Sequence, residues 1–333
     1  MQPVLKQAVT GALERSGAVG LMRRWGPEQP MVLALVYHRI AEQHDPFFPS
    51  VDARTFEAHL GYLKQHYQAV SLQTFTHALA GEAELPRRSA FITIDGGYEE
   101  TLTVAQPILA RCEMPAVAFL VTGCIGTGVP LWSDELAVWI KTTGRVHCRL
   151  SINGHEAEWH LGSVAARLAC LSALRQWLRG LPDEERRTAM RELAKYLHVN
   201  GQALSMPPML TWEQVKMLRA GGLVSIGAQT RTAPILSRVS PELAWYEIHG
   251  AKRDIEERLG EPVTSFAYPS GRPGDVTAPV EEAVRRAGYT TAWTTLYGSN
   301  TLRSNPWRLM RIQTSQRHMP SFGVQLVRLG MER

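Results

Sequence analysis

The segment Phe91-Ile92-Thr93-Ile94-Asp95-Gly96-Gly97-Tyr98 sets the terms for the rest of the chain. Phe91, Ile92 and Ile94 are aromatic and β-branched, with Arg87-Arg88-Ser89 before them and two glycines after. Such a run reads as a buried strand that stops in a tight turn. Asp95 sits where the strand stops. In α/β folds, side chains at the carboxyl ends of strands are the ones that reach ligands. The glycines allow a sharp turn and a close backbone approach. Leu102, Ile108 and Leu109 then mark a helix interrupted by Pro107, and Met114 to Gly123 reads as a second buried strand. The plainer reading of Asp95 is a cap on that helix.

The pattern repeats along the chain. Met31 to Val36 is an apolar run that ends in Tyr37-His38-Arg39-Ile40, a first inner strand. His38 then lies at the same rim as Asp95, or is a partly buried histidine bonded to a loop. Residues 54–69 carry Phe56, Leu60 and Leu63 at helical spacing, with His59 and His66 read as surface positions. Thr211 caps a helix that runs to Ala220 and ends at Gly221-Gly222, and Leu223 to Ile226 is the next strand. Ser240, Pro241 and Glu242 open a helix that extends to Leu259. Val263 to Tyr268-Pro269 and Thr290 to Thr294 are further strands. This alternation predicts an α/β fold with a parallel sheet, closed or nearly closed.

Residues 132–207 break the alternation. Trp132-Ser133-Asp134 reads as a substrate-side turn, and Cys148 onward as a hairpin turning at Asn153-Gly154. Two helices follow over 163–178 and 183–197. The organisation expected is an N-terminal helical extension (1–30), a core split between 31–131 and 208–315, an insertion (132–207) and a C-terminal tail (316–333).

A chain of 333 residues can hold one large α/β domain or two smaller ones. The net charge of +5 suits an acidic saccharide, a lipid diphosphate or a membrane surface. It is too small to indicate nucleic-acid binding, and no nucleic-acid motif is present. The four cysteines form no C-x-x-C pair, so free thiols in a reducing compartment are expected. Residues 1–30 show no secretory signal. They alternate apolar and basic residues, which fits either a surface helix or peripheral contact with an anionic membrane. A cytoplasmic location is expected, with that contact as an addition.

Several segments together resemble the polysaccharide deacetylase (NodB-homology, carbohydrate esterase) family. Its first motif, T-F-D-D-G-Y, stands here as Thr93-Ile94-Asp95-Gly96-Gly97-Tyr98. Pro107-Ile108-Leu109 and Pro115-Ala116-Val117-Ala118-Phe119 follow at the family's positions, and Tyr37-His38-Arg39-Ile40 resembles its opening strand end. Gly227-Ala228-Gln229-Thr230-Arg231-Thr232-Ala233-Pro234 resembles the second motif, G-x-H-[ST]-x-x-H-P. Phe266-Ala267-Tyr268-Pro269-Ser270-Gly271 resembles the third. The resemblance implies a distorted (β/α) barrel and removal of acetyl groups from sugars by a divalent metal such as zinc. It implies Asp95 as catalytic base, Arg311 as its ion-pair partner and His38 as a supporting residue. Tyr98, Trp132, Tyr268 and Pro269 would line a saccharide groove, with nearby backbone N–H groups serving an oxyanion. No late L-x-H supplies the family's acid histidine.

The three metal-ligand positions depart from the family: they are Gly96, Gln229 and Ala233. Neutral glutamine is a poor ligand for zinc-like metals, and glycine and alanine offer no donor. The metal would lower the pKa of attacking water from about 16 to about 7. Without it, a lone carboxylate is a feeble base, and each ~1.4 kcal/mol of lost assistance is tenfold in rate. The expectation is a pseudo-deacetylase with no metal cofactor, binding a saccharide or lipid-linked sugar in polysaccharide or glycolipid assembly. The alternatives are a metal-independent hydrolase built on Asp95, and a scaffold without ligand. On this reading, Gly96→Asp with Gln229→His and Ala233→His should restore metal binding.

Overall fold

The computed structural model describes residues 30–42, 44–152, 155–199, 205–315 and 317–329. The N-terminal extension and the Asn153-Gly154 turn lie outside these.

The strands are β1 (Met31–Tyr37), β2 (Gln68–Ala69), β3 (Arg88–Gly96), β4 (Ala116–Leu120), β5 (His147–Ile152), β6 (His155–His160), β7 (Val224–Ala228), β8 (Ser265–Ala267), β9 (Thr291–Trp293), β10 (Asn300–Thr301) and β11 (Ile312–Gln313). The helices are α1 (Ala53–His66), α2 (Leu72–Leu79), α3 (Gln106–Cys112), α4 (Trp132–Thr142), α5 (Val164–Gly180), α6 (Asp183–Tyr196), α7 (Trp212–Ala220), α8 (Pro241–Leu259), α9 (Ala278–Arg286) and α10 (Met319–Leu329).

The large sheet runs β10-β1-β3-β4-β7-β8-β9, with β2 beside β3 and β11 beside β1. Strands β1, β3, β4, β7, β8 and β9 pair in parallel, as βαβ crossovers require. The result is the expected α/β fold: a curled, half-barrel sheet wrapped by helices. Residues 309–313 bring the two ends of the curl together. Leu309 bridges to Trp293 of β9, and Ile312 pairs with Leu35 of β1.

Side-chain alternation along β3 sorts the core. Phe91, Thr93 and Asp95 share one face of the strand; Ile92 and Ile94 share the other. The first face belongs to the inside of the curl, where Phe91 packs edge-on to Trp293 (5.0 Å) and Phe75 of α2 closes the bottom. The second face meets the outer helices in the main core. Asp95 is thus the last inward residue of a strand whose other inward residues are buried.

The stretch 132–199 has its own core, formed by α4, the β5–β6 hairpin, α5 and α6, with Phe47 and Phe48 packed into it. Here Trp132-Ser133-Asp134 is the first turn of α4 and not an isolated turn. Leu136, Ala137 and Ile140 supply the apolar stripe that makes it helical. His59 is also not a surface residue. It is fully buried, accepts or donates a hydrogen bond with the Tyr37 hydroxyl (3.0 Å) and stacks on Phe322 of α10 at 4.0 Å. Residues 319–329, placed in a tail by the sequence, form that helix and pack on α1. Among the described residues, no helix is long and apolar enough to cross a membrane.

Candidate functional site

Gly96 and Gly97 both take left-handed backbone angles (φ +106° and +88°), which turn the chain off β3. A turn of π-helix over Thr101–Ala105 leads into α3. Pro107 accounts for it, since it lacks an N–H and crowds the preceding turn. This exit leaves Asp95 at the floor of a cavity of about 220 Å³. His38, Tyr98, Trp132 and Gln229 line that cavity with Asp95, as do Ala233, Tyr268 and Pro269. Residues from β1, β3, α4 and the turns after β7 and β8 therefore meet at one rim.

Asp95 is 1% exposed, and both its oxygens are taken. Arg311 donates to Oδ1 at 2.7 Å and to Oδ2 at 2.9 Å, a two-pronged, charge-assisted pair. The same guanidinium donates to the Thr294 carbonyl (2.8 Å) and to Thr93 Oγ1 (3.2 Å). It reaches Asp95 because residues 309–313 cross between β9 and β1. Gln229 Nε2 donates a third bond, to Asp95 Oδ2 at 3.0 Å. Asp95 does not cap a helix.

The residues at the positions where the resemblance places metal ligands, Gly96, Gln229 and Ala233, do not fit a divalent cation. Gln229 turns its Nε2 to Asp95 and offers at most a neutral carbonyl oxygen, a poor ligand for zinc-like metals. Ala233 has no donor and sits at φ +55°, its N–H held by Thr230 Oγ1 at 3.0 Å. At Gly96 the obstacle is steric as well: a Cβ there would lie 2.8 Å from Tyr98 Cε2. The Tyr98 ring fills the space a side chain at 96 would enter. Among the described residues, no group of three or more His, Cys, Asp or Glu could hold a metal ion.

Tyr98 is itself buried, and its hydroxyl donates to Asp134 Oδ2 at 2.7 Å. Burial holds the Tyr98 pKa well above its ordinary value, and the Asp134 charge adds to this. Burial likewise raises the Asp134 pKa, against the Tyr98 hydrogen bond and the charges of Arg175 and Arg39. Arg39 pairs with Glu100 and lies 5.6 Å from the Tyr98 ring centre. His38 is exposed and lines the half-open cavity. Desolvation there lowers its pKa, outweighing the upward pull of Asp95.

The wall residues are tied down. Tyr268 donates its hydroxyl to the Trp307 carbonyl at 2.9 Å. Its backbone N–H is bonded to the Trp293 carbonyl (3.0 Å) and is engaged within the sheet. The turn after β7 is clamped by Glu247 of α8. That buried carboxylate accepts from Arg231 N and Thr232 N, both at 2.8 Å, and from Thr232 Oγ1 at 2.6 Å. Sequence reasoning placed Asp134 in a substrate-side turn without a role of its own, and missed Glu247 and the arginines of α5. Their helical spacing marked them only as parts of helices, with nothing to say which strand end they would meet.

Residues 185–292 match the family model for polysaccharide deacetylase. The fold is that of solved deacetylases. The Streptococcus pyogenes deacetylase PplD, solved in complex with acetate, superposes with a TM-score of 0.59 over 92% of this chain and 100% of its own, at 19% identity. IcaB from Ammonifex degensii gives 0.59 over 91% and 98%, also at 19% identity. A de-N-acetylase from Aggregatibacter actinomycetemcomitans gives 0.54 over 85% and 94%, at 16% identity. Over residues 185–292 the chain is similar to polysaccharide deacetylases in sequence, and over most of its length it shares their fold. A sequence comparison with curated proteins found no match. The strand end at 95–98, the turn after β7 and the Arg311 segment converge on Asp95.

Proposed function

We propose that this deacetylase relative binds a saccharide or lipid-linked sugar in the cavity over Asp95 and does not hydrolyse it by the family's metal-assisted route. Its role would be that of a carbohydrate-binding partner in polysaccharide or glycolipid assembly. The observation that carries this reading is the state of Asp95. Its two oxygens are engaged by Arg311 and Gln229, and Gln229 occupies a metal-ligand position. A base must be free to take a proton from water. No mechanistic step through a metal follows from this donor set.

A second reading is favoured by His38, which is exposed to the cavity and has a lowered pKa, so that its ring is neutral near pH 7 and able to accept a proton. On that reading His38 activates water without a metal, toward an N-acyl or O-acyl group on a sugar.

The test combines metal content of the purified protein with acetate release from chitin-type oligosaccharides and a lipid-linked acetamido sugar. The binding reading expects less than a tenth of an equivalent of metal, on the order expected for incidental uptake, and no acetate. About one equivalent of bound metal overturns it. Acetate release that is lost in His38→Gln but not in chelator establishes the second reading instead.

A further inference from the structure

Two cavities meet at this site. The one over Asp95 is about 220 Å³, and a second of about 400 Å³ extends from it toward Phe48 and Asp134. His38, Tyr98, Ser133, Arg179 and Gln313 line both. Helix α5 supplies Arg175 and Arg179, one turn apart and so on the same face. Arg272, from the loop after β8, lines the first cavity, and Arg175 the second.

The charges around this joined space do not balance. Asp95 is satisfied by Arg311, and Arg39 is satisfied by Glu100. Asp134 accepts from Tyr98 and offsets Arg175 only through space. Arg175 gives one hydrogen bond, to the Ser133 carbonyl at 3.1 Å, and its Nε is buried without a partner. Among the described residues, the Arg179 and Arg272 side chains have neither a hydrogen bond nor an ion pair. Desolvation and then the charges of Arg272 and Arg175 press on Arg179, with only Asp275 opposing. Ser270, on the same wall, has φ +63° and a buried hydroxyl without a partner. For the partly buried Arg175 and Arg179, lying together without matching carboxylates is costly unless an anion joins them, and the exposed Arg272 adds a third positive charge at the rim. Buried polar atoms without partners at the same place point to a ligand.

We propose that the joined cavity recognises a sugar that carries an anionic group, a carboxylate or a phosphate, held by Arg175, Arg179 and Arg272. This rests on the reading of the site as a saccharide cavity. A neutral acetamido sugar would leave all three guanidiniums unmatched. The planar fork of arginine suits both kinds of oxyanion, so the geometry selects the anion and not its source.

Calorimetric titration of the purified protein tests this with three probes: a glucuronic acid oligosaccharide, N-acetylglucosamine 1-phosphate and neutral chitotetraose. One anionic probe should bind tenfold or more tighter than chitotetraose, and its affinity should fall with added salt. Which of the two wins identifies carboxylate or phosphate. Arg179→Gln should remove most of that preference, and Arg179→Lys, which keeps the charge without the fork, should restore part of it. Arg272→Gln, at an exposed loop position, is a second variant in which folding is not at risk; circular dichroism checks both. If chitotetraose binds as tightly as both anionic probes, or if neither glutamine variant narrows the ratio, the inference falls while the saccharide cavity stands. If no probe binds, both fall.

Discussion

Replacing Asp95 with asparagine isolates the ion pair at the floor of the site. The change keeps the side-chain shape and removes the charge opposite Arg311. The two side chains are 2% and 0% exposed, so water cannot take the place of the lost partner. Arg311 would retain its bonds to the Thr294 carbonyl and to Thr93, and lose the charge-assisted pair at 2.7 and 2.9 Å. The asparagine amide also sets a donor against the donors of Arg311 or Gln229. Removing one partner of a buried ion pair costs about 3–5 kcal/mol. With a urea slope of about 3 kcal/mol/M, the midpoint should fall by about 1 M or more. Arg311→Met should cost about the same, since it strands the carboxylate. The double variant Asp95→Leu with Arg311→Met should lose less than the two singles combined, because neither charge remains to be stranded. Urea denaturation followed by tryptophan fluorescence reads all of these. A loss below about 1 kcal/mol in Asp95→Asn would refute the claim that this pair ties residues 309–313 to β3.

Gly96→Ala should cost about 1–3 kcal/mol, because φ is +106° and the new Cβ would meet the Tyr98 ring at 2.8 Å; thermal denaturation measures it. For the same reason Gly96→Asp with Gln229→His and Ala233→His should fail to bind cobalt(II), contrary to the expectation from sequence alone, and a visible cobalt band near one equivalent would show the steric argument wrong. The Asp134 pKa is raised above its ordinary 3.8 by burial, so the fold favours the neutral acid; its contribution is complete below that value and is lost as pH rises through the raised pKa. Wild-type stability should therefore decline relative to Asp134→Asn as pH is raised from about 4, and parallel pH profiles for the two proteins would contradict this. Phe322→Ala should cost about 3–5 kcal/mol by opening a cavity against His59 and Tyr62, which denaturant titration would record.

What could be read from the sequence follows from how far each signal reaches. The strand ending in Asp95 was legible because a β-branched run followed by Gly-Gly is a local pattern. The convergence of Asp95, Gln229, Ala233, Tyr268 and Arg311 was legible through motif order, since successive strand ends of one sheet share a rim. His59 was misread because its burial depends on Phe322, contributed by a helix at the far end of the chain. Helix α4 was misread at its start, where Trp-Ser-Asp has the composition of a turn and only the later apolar stripe declares a helix. The arginines of α5 were invisible as site residues because their meaning depends on how the 132–199 unit packs on the barrel mouth. No spacing rule conveys that.

At Gly96, Gln229 and Ala233, where the family resemblance places metal ligands, the missing donors are only part of the difference. A site that had merely lost its donors would keep a hole of the right shape, and restoring the donors would refill it. Here each position has an engagement of its own. Gln229 holds Asp95, the Tyr98 ring stands where a side chain at 96 would go, and the Ala233 N–H belongs to Thr230. Tyr98 is in turn fixed by Asp134, which lies among the arginines of the second cavity. The engagements are therefore linked. Returning a carboxylate to position 96 would displace Tyr98, which would strand Asp134 and disturb the charged wall beside it. The arrangement holds Asp95 still, while the arginine side of the cavity is left without matching carboxylates. On the reading proposed above, such a cavity is organised around the charge of what it binds and not around attack on it.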